Sequence, residues 1–149
     1  MGQRRARRVP PANLHITLAF LGEVAPATRA CAEAAAAGIA GEAFELHVDQ
    51  LGYWRRRGLL WAGPSAAPEP LARLASDLGA ALEPCGIPRE QRPFQPHITL
   101  ARKAPRLPSH SPVAPVVWPV RYFVLVASTL QAGGATYTVV NEWPLAPPT

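Results

Sequence analysis

The sequence predicts an α+β fold in which antiparallel sheets are flanked by helices. Three features indicate it: short segments that alternate apolar and polar residues, two segments with helical spacing, and Gly- or Arg-rich turns between neighbouring strands. With 48% hydrophobic and 17% charged residues, the 149-residue chain can bury a core as one domain or two small lobes. No apolar run reaches transmembrane length and no signal peptide is visible, so we expect a cytoplasmic protein without a membrane partner.

The first half of the chain predicts strands on either side of a helix. In chain order, we predict a strand over 14–21, a helix over 26–40, a strand around Phe44, Leu46 and Val48, a turn over 55–58 and a strand over 59–62. The helix has Pro26 near its start and Gly41 after its end, which are typical residues for those positions. Glu45 and His47 alternate with the apolar residues of the second strand, so one face of that strand should be buried.

The second half repeats this arrangement. We predict a helix over 70–82, a strand beginning at His97, a Pro- and Ser-rich connector over 104–119, a strand over 120–130, a turn at Gly133 and Gly134, and a hairpin partner over 136–143. The helix carries Leu71, Leu74, Leu78 and Leu82 at helical spacing, so these four side chains should face the core. Because the strands are joined mostly by short turns, they should pair antiparallel.

The chain is basic, with fifteen Lys and Arg residues, ten Asp and Glu residues, a net charge of +5 and a pI near 10.0. Such a charge favours a polyanionic partner, either nucleic acid or phosphate. A drift of composition towards Ala, Pro and Arg explains the same charge equally well. The arginines within 55–57 and 89–92 lie in predicted loops, where they either contact an RNA backbone or are simply solvated.

The two cysteines, Cys31 and Cys85, lie far apart, and neither has a Cys or His neighbour at metal-ligand spacing. Free cysteine is among the most buried residue types, so we expect two free thiols on buried helix faces. This disfavours both a disulfide scaffold and a zinc site. We expect no metal and no cofactor.

The strongest signal is a pentapeptide that occurs twice, His-Ile-Thr-Leu-Ala at 15–19 and again at 97–101. On a strand, alternate residues point the same way, so His15 and Thr17 should share one face while Ile16 enters the core. The second copy places His97 and Thr99 in the same relation. Core packing does not require the same His and Thr twice, which makes His15 and His97 candidate catalytic residues.

Two imidazoles and two hydroxyls that face one another across a cleft are suited to phosphodiester hydrolysis without a metal. One neutral His accepts a proton from water, and one protonated His donates a proton to the departing oxygen. The hydroxyls of Thr17 and Thr99 would donate hydrogen bonds to the phosphate oxygens, where charge accumulates. His47 and His110 are interpreted as ordinary surface residues.

Phe20 and Trp61 are candidate stacking surfaces for a nucleic-acid base, with core packing as the alternative for each. Phe20 falls on the same predicted strand face as His15. Arg102 follows the second motif directly, and strict alternation would place it on the face opposite Thr99. A bulge or a strand end would be needed to redirect it towards the phosphate.

The paired His-x-Thr-x strands resemble the two-histidine (2H) phosphoesterase superfamily and, within it, the RNA 2′,3′-cyclic phosphodiesterases once described as 2′-5′ RNA ligases. The resemblance extends over residues 9–145. It is carried by Val9-Pro10-Pro11-Ala12-Asn13-Leu14-His15, Leu21-Gly22, Leu60-Trp61-Ala62-Gly63, Arg92-Pro93-Phe94-Gln95-Pro96-His97, Ala101-Arg102, and the hairpin around Ser128, Tyr137 and Trp143-Pro144-Leu145.

The resemblance implies a bilobal α+β fold with pseudo-twofold symmetry and one His-x-Thr per lobe, formed by a single domain over residues 9–149. It implies hydrolysis of an RNA terminal 2′,3′-cyclic phosphate to a 2′-phosphomonoester. In that reaction His15 would protonate the 3′-oxygen, His97 would activate water, and Arg102 would help to bind phosphate. Two alternatives remain: an esterase acting on a small cyclic nucleotide or a 2′-5′ linkage, and a non-catalytic RNA-binding module.

The start of the chain departs from the family pattern, which places a strand and a helix before the first motif. Residues 1–8 are instead interpreted as a basic, solvated stub. Loss of a strand and helix would leave a sheet edge and an apolar face uncovered. We therefore expect a monomer of reduced stability, or association through the lobe that carries His15.

Overall fold

A computed structural model describes residues 6–106 and 114–148. This part of the chain contains two α-helices, eight strands and two short 3₁₀ segments, Pro11–Asn13 and Glu83–Cys85. The helices are α1 (Pro26–Ala37) and α2 (Glu69–Leu82). The strands are β1 (Arg7–Arg8), β2 (Phe44–Val48), β3 (Gln50–Trp54), β4 (Leu59–Gly63), β5 (Ile98–Arg102), β6 (Val116–Val120), β7 (Tyr122–Gln131) and β8 (Gly134–Pro144). The predicted α+β class with antiparallel sheets is confirmed.

The strands form a four-stranded sheet in the order β1-β5-β4-β3 and two two-stranded sheets, β2-β6 and β7-β8. The chain divides into two compact units. The sheet unit comprises Met1–Thr17, Leu46–Ala66 and Pro96–Trp118, and the helix unit comprises Leu18–Glu45, Ala67–Gln95 and Pro119–Thr149. Both His-x-Thr motifs fall in the sheet unit. The arrangement of one motif per lobe stays a prediction.

The sheet unit is built on antiparallel neighbours. β3 and β4 form a hairpin through the predicted turn over 55–58, with Trp54 opposite Leu59. β4 then pairs with β5, and β1 lies on the outer edge of β5. Arg7 and Arg8 therefore form a strand with exposed side chains, where a solvated stub was expected.

The helix unit has its core where α1, α2 and the terminal hairpin pack together. Ala36, Leu74, Leu78, Phe123 and Leu145 form one buried cluster. The four leucines predicted to face the core from α2 are all buried, at 2–6% exposure. Helical spacing thus located the buried face of α2 correctly. The other helix, α1, ends at Ala37, three residues before the predicted end.

The prediction of two free, buried thiols is wrong. Cys31 and Cys85 form a disulfide that joins α1 to the 3₁₀ turn after α2, with their Cα atoms 5.7 Å apart. Cys31 is exposed and Cys85 is half-buried. The 54-residue separation hides this pairing from any local pattern, because only the packing of the two helices brings the residues together.

The predicted strand over 14–21 is also wrong, since Ile16 alone makes a β-bridge there, to Ile98. The following apolar residues are partly buried against the core of the helix unit instead. Leu18 packs against one buried cluster, and Ala19 and Leu21 pack against another formed by Ala32, Leu82 and Ile87. Partial burial of successive residues is incompatible with a strand that has one buried face.

Two further boundaries differ from the prediction. The connector expected over 104–119 already contains the start of β6 at Val116, while His110 and its neighbours lie outside the described residues. The strand expected over 120–130 is divided at Arg121, whose carbonyl accepts a hydrogen bond from the Leu145 amide at 2.8 Å. Within the described part of the chain, neither helix has the length and apolarity needed to cross a membrane.

Candidate active site

Between β1 and the first motif, two prolines make the chain leave the edge of the sheet and return to it. β1 pairs with β5, and the Val9 amide still donates to the Leu100 carbonyl at 2.9 Å. Pro10 and Pro11 have no amide hydrogen to donate to such a ladder. The chain therefore leaves the edge, forms the 3₁₀ turn Pro11–Asn13, and returns at Ile16 opposite Ile98.

This bridge places the two motifs side by side and antiparallel. Extending its register by one residue in each direction puts His15 opposite Thr99, and Thr17 opposite His97. Directly opposed residues of an antiparallel pair project from the same face, with their Cβ atoms roughly 4.5–5.5 Å apart. The geometry thus brings two imidazoles and two hydroxyls to one face of the sheet, each His beside a Thr of the other motif.

Hydrogen bonds orient the imidazole of His15. Nδ1 lies 2.7 Å from the carbonyl oxygen of Asn13, and Nε2 lies 3.1 Å from the hydroxyl of Thr17. Because a carbonyl only accepts, Nδ1 carries a hydrogen, and Nε2 either accepts from the Thr17 hydroxyl in a neutral ring or donates to its oxygen in a protonated ring. Nε2 is thus the nitrogen that can exchange a proton with a substrate.

His97 is packed against aromatic rings. The ring of Trp54 lies 4.6 Å away, centroid to centroid, at an interplanar angle of 68°. The ring of Trp61 lies 6.4 Å away at 71°. Both are edge-to-face arrangements, which aromatic pairs favour over face-to-face stacking. The two tryptophans therefore restrict where the His97 imidazole can lie.

Glycines make room for this aromatic cluster. A Cβ atom at Gly52 would lie 2.0 Å from the ring of Trp61, and one at Gly63 would lie 2.8 Å from the carbonyl oxygen of Pro96. No larger residue fits at either position without displacing its neighbour. Gly63 therefore permits the approach of the segment that leads into His97.

Trp61 was predicted either to stack on a base or to pack in the core. It is half-buried between Gly52 and Trp54, and it lies opposite Thr99 in the sheet. Its Nε1 atom is buried and has no hydrogen-bond partner among the described residues. Trp61 therefore lies beside the motif residues and is held there by packing contacts.

A bulge changes the face of the sheet on which Arg102 lies, which strict alternation alone would not allow. The register between β4 and β5 shifts at Leu60 and Trp61: Trp61 pairs with Thr99, but Leu60 pairs with Ala101. Leu60 and Trp61 point to opposite faces, so Ala101 and Thr99 do as well. Arg102 therefore falls on the Thr99 face, where β5 ends, and its side chain is exposed.

Phe20 is exposed rather than part of the core. It belongs to the helix unit and is 84% exposed, with its ring lying over Gly22 at 3.7 Å from a Cβ built there. Core packing, the alternative for Phe20, does not occur.

Trp54 is the residue that sequence reasoning missed. The available signal was its position two residues after Gly52, which puts both on one face of β3, together with the hairpin that pairs β3 with the strand of Trp61. His47 lies on the exposed face of β2, as predicted. Among the described residues, no group of three or more His, Cys, Asp and Glu is arranged to hold a metal ion.

The sequence profile of the 2′-5′ RNA ligase superfamily matches residues 2–127. The chain belongs to this superfamily. It is 36% identical over 141 residues to an RNA 2′,3′-cyclic phosphodiesterase of Escherichia coli, covering 93% of this chain and 80% of the relative. The enzyme of the same name from Thermus thermophilus is 37% identical over 150 residues, covering 92% and 74%.

The fold agrees with that membership. The crystal structure of E. coli LigT complexed with 3′-AMP superimposes with a TM-score of 0.84 at 35% identity, covering 94% of this chain and 81% of LigT. Another phosphoesterase crystal structure gives a TM-score of 0.86 at 34% identity, covering 95% and 82%. The 2H phosphoesterase fold expected from the paired motifs is confirmed.

Proposed function

We propose that this superfamily member hydrolyses the 2′,3′-cyclic phosphate at the end of an RNA, leaving a 2′-phosphomonoester. The single observation that carries the proposal is the Ile16 to Ile98 bridge, which sets the two His-x-Thr motifs antiparallel on one face. The relatives in Escherichia coli and Thermus thermophilus carry the name of this activity. The proposed reaction therefore matches both the local geometry and the family.

In the proposed reaction, water attacks phosphorus, a new P–O bond forms, and the bond from phosphorus to the 3′-oxygen breaks. His97 accepts the proton of the attacking water. His15 donates the Nε2 proton to the departing 3′-oxygen while Nδ1–H remains bonded to the Asn13 carbonyl. One proton is taken and one is given, so the pair ends with its protonation states exchanged.

The hydroxyls of Thr17 and Thr99 are proposed to bind the phosphate oxygens, with Arg102 adding a positive charge at the end of β5. Thr17 contacts His15 Nε2 in the present structure. Substrate phosphate would take over this hydroxyl, which would free Nε2 to serve the leaving oxygen. Trp61 and Phe20 remain proposed stacking surfaces for the terminal base.

The test is an assay on oligonucleotides that end in a 2′,3′-cyclic phosphate, with cyclic mononucleotides and a 2′-5′-linked dinucleotide as parallel substrates. The position of the product phosphate is resolved by NMR or chromatography. We expect a 2′-phosphate from the cyclic oligonucleotide. Exclusive cleavage of the 2′-5′ dinucleotide, or binding of the oligonucleotide without turnover, would instead support one of the two alternatives.

All four motif residues belong to one chain, so we propose that a monomer is sufficient for catalysis. A cytoplasmic location also remains a proposal. The exposed disulfide between Cys31 and Cys85 argues against it, because disulfides persist mainly in oxidising compartments.

A further inference from the structure

The charged residues are distributed very unevenly between the two units. The sheet unit carries ten Lys and Arg residues and a single carboxylate, Asp49, whereas the helix unit carries five basic and nine acidic residues. The net charge of +5 is therefore the sum of a strongly positive sheet unit and a negative helix unit. Compositional drift towards Arg would not separate positive from negative residues in this way. The surface of the sheet unit therefore indicates an anionic binding partner.

The topology collects most of these cations at one end of the four-stranded sheet. β5 finishes at Arg102, β1 runs beside that end with Arg7 opposite Arg102, and the turn between β3 and β4 lies at the same end. We call this surface the basic end. Its eight residues are Arg7, Arg8, Arg55, Arg56, Arg57, Arg102, Lys103 and Arg106.

The backbone that carries the basic end is held in place. The Ala104 amide donates to the Gly58 carbonyl at 2.8 Å, and the Tyr53 hydroxyl donates to the Ala104 carbonyl at 2.6 Å. These two bonds fasten the arginine turn to the segment after β5. The turn is therefore a fixed feature of the sheet rather than an unattached loop.

The side chains of the basic end are all exposed, and none forms an ion pair with a carboxylate in the described part of the chain. The only carboxylate of the sheet unit, Asp49, precedes β3 and so lies at the other end of the sheet. It is bonded to the amide and hydroxyl of Ser65. Eight neighbouring cations thus repel one another without an internal counter-charge. An external polyanion would reduce this repulsion.

We infer that the basic end binds the phosphates of a polynucleotide whose cyclic-phosphate terminus lies at His15 and His97. This inference rests on the proposed function and adds a chain-length preference to it. Arg102 is assigned to the terminal phosphate, and the other seven residues of the basic end lie around the end of β5, about 16 Å along the strand from His97 at ~3.3 Å per residue. That length corresponds to about five nucleotides of a stacked strand, at ~3.4 Å per nucleotide. The substrate class is therefore an oligonucleotide of several residues, in preference to a cyclic mononucleotide.

The test compares wild type with the variant Arg55→Gln/Arg56→Gln/Arg57→Gln, which leaves the motif residues and Arg102 intact. A 10-nucleotide RNA with a 2′,3′-cyclic phosphate and 2′,3′-cyclic CMP are the two substrates. We expect the KM for the 10-mer to rise at least 10-fold in the variant, with kcat/KM for cyclic CMP within twofold of wild type. Loss of three phosphate contacts should also reduce the slope of log KM against log salt by about 2, at ~0.7 per phosphate of a single strand.

The matched control is Arg29→Gln/Arg73→Gln/Arg121→Gln, which removes the same charge from the helix unit. An equal effect of this control, an equal loss on both substrates, or no effect on the 10-mer would overturn the inference. Binding of a 3′-hydroxyl 10-mer, followed by fluorescence anisotropy, provides a readout independent of turnover. If wild type hydrolyses neither substrate, the proposed function fails, and weaker 10-mer binding by the turn variant alone would still support the basic end. Equally strong competition by polyglutamate would reveal a surface for any polyanion and would also overturn it.

Discussion

Individual atoms define the candidate site more sharply than the motif does. The Asn13 carbonyl assigns a hydrogen of His15 to Nδ1, and Trp54 limits the orientation of His97. Neither the Asn13 carbonyl nor the Trp54 ring is an acid or a base. Each acts by holding an imidazole in position. Such positioning matters because general acid–base catalysis requires the nitrogen within hydrogen-bond reach of the proton that moves.

Removal of either imidazole should break the proton relay. His15→Ala and His97→Ala are each expected to lower kcat by about 10²-fold or more on the cyclic-phosphate 10-mer. The double variant should be far from additive, because either loss already stops the relay. His47→Ala is the matched control, since His47 is exposed on β2, outside the sheet that carries the motifs. Near-normal turnover by either single variant, with the fold intact by circular dichroism, would refute the mechanism.

Gly52 should be intolerant of even one added methyl group. Gly52→Ala places a Cβ 2.0 Å from the Trp61 ring, so the ring must shift, and we expect a loss of about 1–3 kcal/mol in the free energy of unfolding. Urea denaturation measures this directly. Gly133→Ala is the control, because a Cβ there meets nothing within 4 Å. Equal stability of the two variants would show that Trp61 is not confined as described.

At the scale of elements, cross-links between distant segments organise each unit. The disulfide joins α1 to the turn after α2, and Cys85 packs against the cluster of Ala32, Leu82 and Ile87. Ala19 and Leu21, just after the first motif, pack against that same cluster. The disulfide therefore supports the segment through which the chain leaves His15 and Thr17.

Loss of the disulfide should destabilise the helix unit. We expect Cys31→Ser/Cys85→Ser to unfold with about 2–4 kcal/mol less free energy than the oxidised wild type, since a loop of 54 residues is no longer closed in the unfolded chain. Thermal denaturation with and without dithiothreitol measures the effect. The reductant should lower the Tm of wild type and leave that of the double variant unchanged. A wild-type Tm that is insensitive to the reductant would contradict the role assigned to this bond.

A second cross-link, from Asp49 to Ser65, should make stability depend on pH. The hydroxyl and amide of Ser65 both donate to the carboxylate and lower the pKa of Asp49 below its usual value of 3.8. A pKa lowered by folding contributes stability above the unfolded pKa, and that contribution is lost as pH falls through the folded pKa. Asp49→Asn should therefore have a lower Tm than wild type at pH 6, with the difference shrinking below pH 4. A constant difference across this range would exclude the linkage.

At the scale of the whole molecule, charge and apolar surface are located on different elements. The cations are concentrated at the basic end, while the exposed large apolar residues lie mainly on β6, β7 and β8, including Val116, Leu130 and Val139. Two further exposed apolar residues, Leu14 and Phe20, lie in the segment around His15. Association through the lobe that carries His15 therefore stays a prediction.

Activity of the whole enzyme should not depend on a metal ion. The proposed reaction needs one proton acceptor and one proton donor, and His97 and His15 supply both without a Lewis acid. We expect the initial rate on the cyclic-phosphate 10-mer to be unchanged after dialysis against EDTA. Loss of activity that zinc or manganese restores would mean that a metal participates, and the roles of both histidines would need revision.

The sequence by itself determined the elements whose signals are local. Helical spacing located the buried face of α2, alternation located β2, and the repeated His-x-Thr indicated the family and the reacting groups. Each signal depends only on residues a few positions apart, which share a face by backbone geometry alone.

Tertiary structure decided what depends on which distant segments meet. Cys31 met Cys85 only because α1 and α2 pack together, and Trp54 reached His97 only through the order β5-β4-β3. The first motif did not become a strand, since partial burial of Leu18, Ala19 and Leu21 in the helix unit outweighed its alternating pattern. Hydrophobic burial is non-directional and has no sequence period of its own, so such competition is resolved only by the complete fold.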